Sequence, residues 1–279
     1  MSLEVVTDGA LADIAARSRR SVLSIGHEAG AQGAHFGPAL SLVEILTVLY
    51  GTAVRHSPKG ARSPERDRVI LSKGHGSLAL YTVLHEFGYI DAVLLATAEK
   101  DGSVLPGQPI RNRDLGIEFS SGSLGMGLSF GVGLALSGRM MASDRSIYVV
   151  MGDGETNEGS VWEAAMSAAH FGLRHLTAIV DVNDLQSDGP TSEIMSCHHL
   201  AIWAGFGWDV VEVDGHSISE LRAALSRPLG SHPRCILAHT IKGKGVSFME
   251  GVSEWHHGRL TEAQFETASQ EMYFEDLAP

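Results

Sequence analysis

The sequence has little cysteine and lacks the motifs that define several large protein classes. Its two cysteines, Cys197 and Cys235, form neither a Cys-x-x-Cys pair nor a disulfide framework, so we expect buried, reduced thiols. No G-x-G-x-x-G pattern or Walker lysine motif occurs, so dinucleotide or P-loop binding has no support in the sequence. His198 and His199 lack a third ligand at a spacing suitable for a metal, and we expect them to be surface histidines.

Long apolar runs and an excess of positive charge are also absent. Residues 1–20 lack the apolar core of a signal peptide, and no apolar run reaches the length of a membrane span, which favours a cytoplasmic protein. The net charge of −12 at pH 7 argues against nucleic acid or an anionic membrane as the partner. With 279 residues, 44% of them hydrophobic, the chain is long enough to form one large domain.

The most informative stretch is residues 146–191, which predicts a strand, a tight turn, a helix and a second strand. Ile147–Met151 is a short, largely β-branched run that stops at Gly152-Asp153-Gly154, and apolar residues then recur at helical spacing. A second apolar strand, Leu176–Val182, ends at Asn183. Parallel strands joined by a crossover helix end at the same edge of the sheet, where ligands bind. Asp153 and Asn183 are therefore expected to lie side by side.

The rest of the chain continues the alternation of strands and helices. Further strands are predicted at Arg66–Leu71, Trp208–Val213 and Cys235–Thr240. This pattern indicates an α/β fold with a doubly wound, mostly parallel sheet and helices on both faces. We expect a single domain over residues 1–279, with an N-terminal helical region to about residue 60 and a C-terminal tail from about residue 261.

Two helix starts are predicted in the N-terminal region. Asp8 is a candidate N-cap for an amphipathic helix that runs to about His27. Ser41 and Glu44 match a capping box, which predicts a helix from there to Tyr50.

The two polar strand ends are suited to a divalent cation. The glycines beside Asp153 allow a phosphate to approach the backbone, but Glu155 and Glu158 add negative charge to the same corner. Oxygen ligands from Asp153, from the Asn183 amide and from a nearby carbonyl would suit Mg²⁺ or Ca²⁺, with diphosphate oxygens completing the coordination. The alternative is that Gly-Asp-Gly is only a turn between two core strands.

The segment from Gly152-Asp153-Gly154 to Asn183 resembles the thiamine diphosphate signature. The flanking residues 157–165 and 185–189 resemble transketolase in particular, and the resemblance extends over nearly the whole chain. It implies the thiamine diphosphate-binding fold of a diphosphate-binding (PP) domain. It also implies that the metal ligands are the side chains of Asp153 and Asn183 and the Leu185 carbonyl. The cofactor contacts implied by the resemblance are His75, Gly122, Ser123, Leu124, Gly152, Asp153, Gly154, Glu155, Asn183, Leu185 and His256. For the glycine-rich residues 122–127, close helix packing is the alternative.

Histidines in three motifs complete the resemblance. The loop before Ser41 implies that His35 contacts the substrate, and Ser72-Lys73-Gly74-His75 implies that His75 contacts the diphosphate. After Trp255, either His256 or His257 matches the catalytic histidine of the family, and alignment on the tryptophan favours His256.

Two other candidate catalytic residues carry alternatives. Glu158 matches a family glutamate that lies between the two cofactor sites of the dimer, although a carboxylate stabilising a helix start would look the same. Gln108 replaces a family histidine that recognises the donor sugar. This replacement suggests an unusual substrate, and variation in a tolerant loop is the alternative.

Thiamine catalysis also needs a carboxylate at the pyrimidine N1′, and in the family that glutamate lies in a second domain. The chain ends at Pro279, before a pyrimidine-binding or C-terminal domain could follow. We therefore predict a split, α2β2 transketolase in which a separate chain supplies these domains. The enzyme would move a two-carbon ketol unit from a ketose or ketose phosphate to an aldose. The alternatives are an E1-type subunit of another thiamine diphosphate enzyme and a non-catalytic binding partner that retains the fold.

Overall fold

A computed structural model describes residues 6–275 of the chain and the side chains of residues 6–272. Its centre is a five-stranded sheet in the order β1-β2-β3-β5-β4, and every neighbouring pair is parallel. The strands are β1 (Arg68–Leu71), β2 (Ile147–Gly152), β3 (Leu176–Val182), β4 (Asp209–Asp214) and β5 (Arg234–His239). The predicted parallel α/β sheet is confirmed. The last strand in sequence, β5, lies inside the sheet, and β4 forms the edge.

Eleven α-helices surround the sheet in the described residues. They are α1 (Asp8–Glu28), α2 (Phe36–Leu40), α3 (Val43–Val48), α4 (Ser77–Glu86), α5 (Ala92–Leu95), α6 (Met126–Met140), α7 (Gly159–His170), α8 (Thr191–Ile194), α9 (His199–Gly205), α10 (Ile218–Leu225) and α11 (Glu262–Glu275). The region predicted as a C-terminal tail thus contains α11, which contacts α1 and buries Ala268 and Met272.

Two apolar cores lie on opposite faces of the sheet, because successive strand residues point to opposite sides. On one face, Val150 and Ile179 pack in a cluster that also contains apolar residues of α1, α3, α4 and α10. On the other face, Val149 and Ala178 pack with apolar residues of α6 and α7 and with Trp203 of α9. This arrangement confirms that helices cover both faces of the sheet.

The predicted helix starts in the N-terminal region are wrong in detail. Thr7, not Asp8, caps α1, since its hydroxyl accepts a hydrogen bond from the Ala10 amide at 3.2 Å. The capping box is not formed, because the side chains of Ser41, which is buried, and Glu44, which is mostly buried, are engaged elsewhere. Ser41 Oγ donates to Asp181 at 2.7 Å, and Glu44 contacts groups on α1 and before α10.

One segment has a high mean hydropathy, although the sequence contains no continuous apolar run of membrane-spanning length. Residues Phe36–Ala53 have a mean hydropathy of 1.4, enough by length and composition to cross a membrane. However, 83% of this window is buried inside the protein, and a turn at residues 41–42 separates α2 from α3. Packing in the core therefore explains the apolar composition of this segment.

Candidate active site

A cavity of about 160 Å³ lies at the carboxyl ends of β1, β2 and β3. The parallel register places Gly152, at the end of β2, beside Asp181 of β3, so the residues that follow the two strands meet at this edge. Nine residues predicted to contact the cofactor line the cavity: His75, Leu124, Gly152, Asp153, Gly154, Glu155, Asn183, Leu185 and His256.

Asp153 follows β2 and is held by two backbone amides. Its Oδ1 accepts from the Gly154 amide at 2.8 Å, and its Oδ2 accepts from the Asp184 amide at 2.7 Å. Burial, together with the nearby charge of Asp181, raises the pKa of Asp153 to about 6. No ion pair to this carboxylate occurs among the described side chains, so a bound cation would remove an unfavourable burial of negative charge.

Asn183 and Leu185 lie beside Asp153 in the turn after β3. Asn183 Nδ2 donates to Asp181 Oδ2 at 3.1 Å, which fixes the orientation of the amide, and Oδ1 accepts from the Leu185 amide at 3.2 Å. Asp184 between them has a left-handed φ of 59°. A carbonyl oxygen has two lone pairs, so the Asn183 Oδ1 retains capacity for a second, cationic partner.

Lys242 shows that this edge attracts positive charge. Its ammonium donates to the backbone carbonyls of Leu185 at 3.0 Å and Gln186 at 3.1 Å, and lies 3.0 Å from His256 Nδ1. Burial, together with the charge of Lys73, lowers the pKa of Lys242 to about 8. The Leu185 carbonyl predicted to bind the metal is thus already directed at a cation.

The donor set fits a hard divalent cation. It comprises one carboxylate, one amide oxygen and one backbone carbonyl, all oxygen ligands of the kind that Mg²⁺ and Ca²⁺ prefer. Across the described residues, no group of three or more His, Cys, Asp or Glu side chains could hold a metal. Because Mg²⁺ takes six ligands, a cation held by these three groups would keep coordination positions open for further oxygen ligands.

A buried ion pair beneath the cavity joins three strand ends. Lys73 follows β1 and donates to Asp181 of β3, and the two side chains are only 1% and 0% exposed. Asp181 also accepts from Ser41 and from Thr240, which follows β5. Although burial opposes ionisation, the charge of Lys73 lowers the pKa of Asp181. The role of Asp181 was not predicted from the sequence, although it is the only charged residue within the largely apolar strand β3.

Four histidines from three separate motifs form one cluster. The His35 ring lies 5.9 Å from His75, 5.7 Å from His256 and 4.5 Å from His257, and the His75 and His256 rings are 5.0 Å apart. Reciprocal backbone hydrogen bonds between Ala34 and Gly258 bring the two outer segments together. The sequence had predicted a role for each of these histidines, and the fold brings all four to one place.

His75 and His256, which line the cavity, and His35 beside them are held neutral at pH 7. Burial lowers the pKa of His35 to about 4 and that of His256 to about 3, with neighbouring positive groups adding to the effect. The pKa of His75 is also well below its usual value for the same reason. His256 lines the cavity, whereas His257 is exposed and reaches only His35 in the cluster.

The remaining predicted site residues are either engaged by protein groups or lie outside the cavity lining. The Glu155 carboxylate accepts hydrogen bonds from Ser72, Gly125 and Gly152, so its oxygens are already engaged by protein groups. Glu158 is exposed immediately before α7. The rest lie near the cavity without lining it: Gly122 and Ser123 are exposed beside Leu124, and the Oε1 of Gln108 is buried without a partner close to Gly74.

The chain matches a known protein family over most of its length. Residues 13–278 match the family described as transketolase, thiamine diphosphate binding domain. The chain is 40% identical over 259 residues to one of the subunits of the apulose-4-phosphate transketolase of Phocaeicola vulgatus, and the match covers 92% of this chain and 91% of that relative. It is 42% identical to the 6-deoxy-6-sulfo-D-fructose transketolase subunit of a Clostridium species, with 85% and 88% covered.

Longer transketolases match over part of their length. Human transketolase is 37% identical, and the match covers 95% of this chain but 42% of the human protein. The solved structure of transketolase from Leishmania mexicana superposes with a TM-score of 0.89 at 28% identity, covering 94% of this chain and 41% of that one. This chain therefore corresponds to less than half of the longer enzymes and to nearly the whole of the separate subunits.

Proposed function

Because this chain belongs to the transketolase family, we propose that it is the diphosphate-binding subunit of a two-subunit transketolase. The enzyme transfers a two-carbon ketol unit from a ketose or ketose phosphate to an aldose acceptor, which makes it a transferase of carbohydrate metabolism. The observation that carries the proposal is the convergence of Asp153, Asn183 and the Leu185 carbonyl at one strand edge, in the same cavity as His75 and His256.

In this proposal, the metal and the cofactor share that edge. Asp153, Asn183 and the Leu185 carbonyl would hold Mg²⁺, or Ca²⁺ in its place, next to the cofactor diphosphate. Thiamine diphosphate, when bound, would supply the carbon centre that carries the two-carbon unit. Lys242, which donates to the Leu185 carbonyl, would be able to pair with the negative charge of the diphosphate instead.

The histidines would position the diphosphate and the substrate. A neutral imidazole has one donor and one acceptor nitrogen, so His75 and His256 can each donate a hydrogen bond to a diphosphate or substrate oxygen. His35 lies within 6 Å of both rings. Its low pKa keeps the ring neutral, so its free nitrogen can accept a hydrogen bond from a sugar hydroxyl.

The split arrangement is supported by the lengths of the relatives. This chain covers 91% of a protein that is itself named as one subunit of a transketolase, so a chain of this size corresponds to a separate subunit in at least one relative. The proposed partner carries the pyrimidine-binding domain, whose glutamate contacts the cofactor, and two pairs form an α2β2 assembly. We place the enzyme in the cytoplasm, with Glu158 near the contact between the two cofactor sites.

The substrate is expected to differ from that of transketolases with a histidine at position 108. Glutamine at this position keeps hydrogen-bonding capacity but cannot carry a proton at neutral pH, and its buried Oε1 has no partner in the described residues. A sugar hydroxyl would supply that partner. Gln108→His should therefore change the preference among donor ketoses more than it changes cofactor affinity.

The experiment is to express this chain with and without a candidate pyrimidine-binding subunit encoded by a neighbouring gene. Two-carbon transfer from a ketose phosphate is then measured with and without thiamine diphosphate and Mg²⁺. Activity should require both chains, and Asp153→Ala should abolish it, whereas Asp13→Ala, at an exposed position of α1, should not. Failure of the paired chains to bind the cofactor would overturn the proposal in favour of a non-catalytic binding partner.

A further inference from the structure

A second cavity lies at the end of the sheet opposite the candidate active site. It has a volume of about 310 Å³ and is formed between the C-terminal end of α6 and the loops that precede β2 and β3. Its volume is at the lower end of the range of about 300–1,000 Å³ typical of small-molecule sites. Three arginines line it, Arg139, Arg145 and Arg174, in a chain whose net charge is −12.

Arg145 is a buried cation without a counter-charge. Its side chain belongs to a residue only 9% exposed, and no ion pair to it occurs within the described residues. Nη2 makes two long contacts of 3.4 Å, to the Leu134 carbonyl and to Ser137 Oγ, and Nε has no partner. Arg68, which lies near enough to feel its charge, carries the same sign, and its pKa is lowered by burial and by the charges of Arg66 and Arg145. An unpaired buried guanidinium is costly unless an anion compensates it.

Two other polar groups of this cavity lack a hydrogen-bond partner. Arg174 is exposed and makes no side-chain hydrogen bond or ion pair in the described structure, and His175 Nδ1 is buried without a hydrogen bond. The one carboxylate in the lining, Asp144, is already engaged, since both of its oxygens accept from Arg55 Nη1 at 3.1 Å. The cavity therefore presents several donors, and its one carboxylate is already paired with Arg55.

Helix capping explains only part of this arrangement. Arg139 donates to the Phe171 carbonyl at the end of α7 and lies over the Phe171 ring, an arrangement that satisfies a helix C-terminus. Capping does not explain the unpartnered Nε of Arg145 or the position of Arg174 on the same cavity. Guanidinium groups bind phosphate through paired N–H donors, and a dianion would balance more of the charge than a single carboxylate.

We propose that the cavity lined by Arg139, Arg145 and Arg174 binds a small phosphorylated ligand, at a site separate from the candidate active site. Inorganic phosphate is the probe, added to the chain at constant ionic strength maintained with sodium chloride. The arginine Nε–H signals are followed by NMR, because the candidate active-site cavity is lined by lysines and histidines and by no arginine. The signals of Arg145 and Arg174 should shift saturably with phosphate.

Two variants and one matched control separate binding from a general charge effect. Arg174→Gln should weaken phosphate binding about tenfold, the usual effect of losing one charge-assisted hydrogen bond. Arg259→Gln removes an exposed arginine elsewhere and should leave binding unchanged. Arg145→Lys tests whether the buried guanidinium takes part in phosphate binding. If Arg145→Lys does not fold, Arg174→Gln, at an exposed position, still tests the proposal. Absence of a saturable shift at Arg145 and Arg174, or equal weakening in Arg174→Gln and Arg259→Gln, would overturn the proposal.

Discussion

Replacing Gly243 by alanine tests how tightly the loop that carries Lys242 is held. Gly243 has a φ of 83°, and an added Cβ would lie 2.4 Å from the Met249 carbonyl oxygen and 2.7 Å from its carbon. Both atoms belong to the backbone, so no side-chain rotation relieves the overlap. Gly251, in the same loop, has a φ of 70° but nothing within 4 Å of its added Cβ. Alanine at either position therefore has the cost of a left-handed backbone conformation, but only alanine at 243 also overlaps with neighbouring backbone atoms.

The expected magnitudes follow from that difference. A left-handed alanine costs about 1–2 kcal/mol in either variant, and overpacking typically adds about 1–3 kcal/mol. Gly243→Ala should therefore lower the free energy of unfolding by about 2–5 kcal/mol, and Gly251→Ala by about 1–2 kcal/mol. Urea denaturation followed by circular dichroism measures both. Because Lys242 precedes Gly243 and lines the candidate active site, Gly243→Ala should also lower cofactor affinity more than Gly251→Ala does. Equal destabilisation in the two variants would refute the backbone overlap as the cause.

Three further predictions concern acid stability, the proposed metal ligand and the packing of α6. Burial opposes ionisation of Glu44, but the charges and hydrogen bonds of Arg19 and His216 together outweigh it and lower the pKa of Glu44 to about 2. This carboxylate should stabilise the fold by about 3 kcal/mol at neutral pH, a contribution lost as the pH falls from about 5 to about 2, so Glu44→Gln should flatten the acid limb of the unfolding profile. Asp153→Asn removes a buried, unpaired carboxylate, so calorimetry should show an unchanged or higher melting temperature without cofactor and no Mg²⁺-dependent cofactor binding. Gly131→Ala should destabilise the chain by about 1–3 kcal/mol in urea. Its Cβ would lie 2.6 Å from a valine methyl of β2. Gly133→Ala, which meets open space, should stabilise α6 by about 0.5–1 kcal/mol.

Each of these has a contrary outcome. An acid limb that is as steep in Glu44→Gln as in the unmodified chain would show that other carboxylates dominate acid unfolding. A large loss of stability in cofactor-free Asp153→Asn would mean that its two backbone hydrogen bonds outweigh the cost of the buried charge. Equal effects at Gly131 and Gly133 would contradict the close contact between α6 and β2.

The strands at the site were predictable because their sequences are short, apolar and bounded by turn residues. Leu176–Val182 is the observed β3 as well as the predicted strand, and β2 extends the predicted Ile147–Met151 by one residue. The helix after β2 begins later than the pattern suggested, at Gly159, because a tight 3-10 turn at Gly154–Asn157 comes first. Local periodicity does not reveal such a turn, which the buried Glu155 carboxylate helps to hold.

The capping box failed for a tertiary reason. Ser41 and Glu44 have the right spacing, but capping competes with other hydrogen-bond partners. In the folded chain Ser41 donates to Asp181, and Glu44 pairs with Arg19 and with His216 Nδ1 at 2.9 Å. These partners are separated from the box by up to 172 residues, so no local pattern could predict them.

The histidine motifs could be read from the sequence, whereas the groups that position them could not. His35, His75 and His256 lie in distinct loops that are recognisable one by one. That Lys242 bridges His256 and the Leu185 carbonyl depends on the packing of the loop after β5 against the turn after β3. A lysine beside a glycine gives no local indication of this contact.

Binding of the cofactor diphosphate through a divalent cation at Asp153 and Asn183 is tested most directly by isothermal titration calorimetry. Thiamine diphosphate is titrated into this chain together with its pyrimidine-binding partner, with Mg²⁺ and after removal of divalent ions. Binding should require the metal and should be lost in Asp153→Asn. Binding of equal affinity without a divalent ion, or unchanged affinity in Asp153→Asn, would contradict the proposed site.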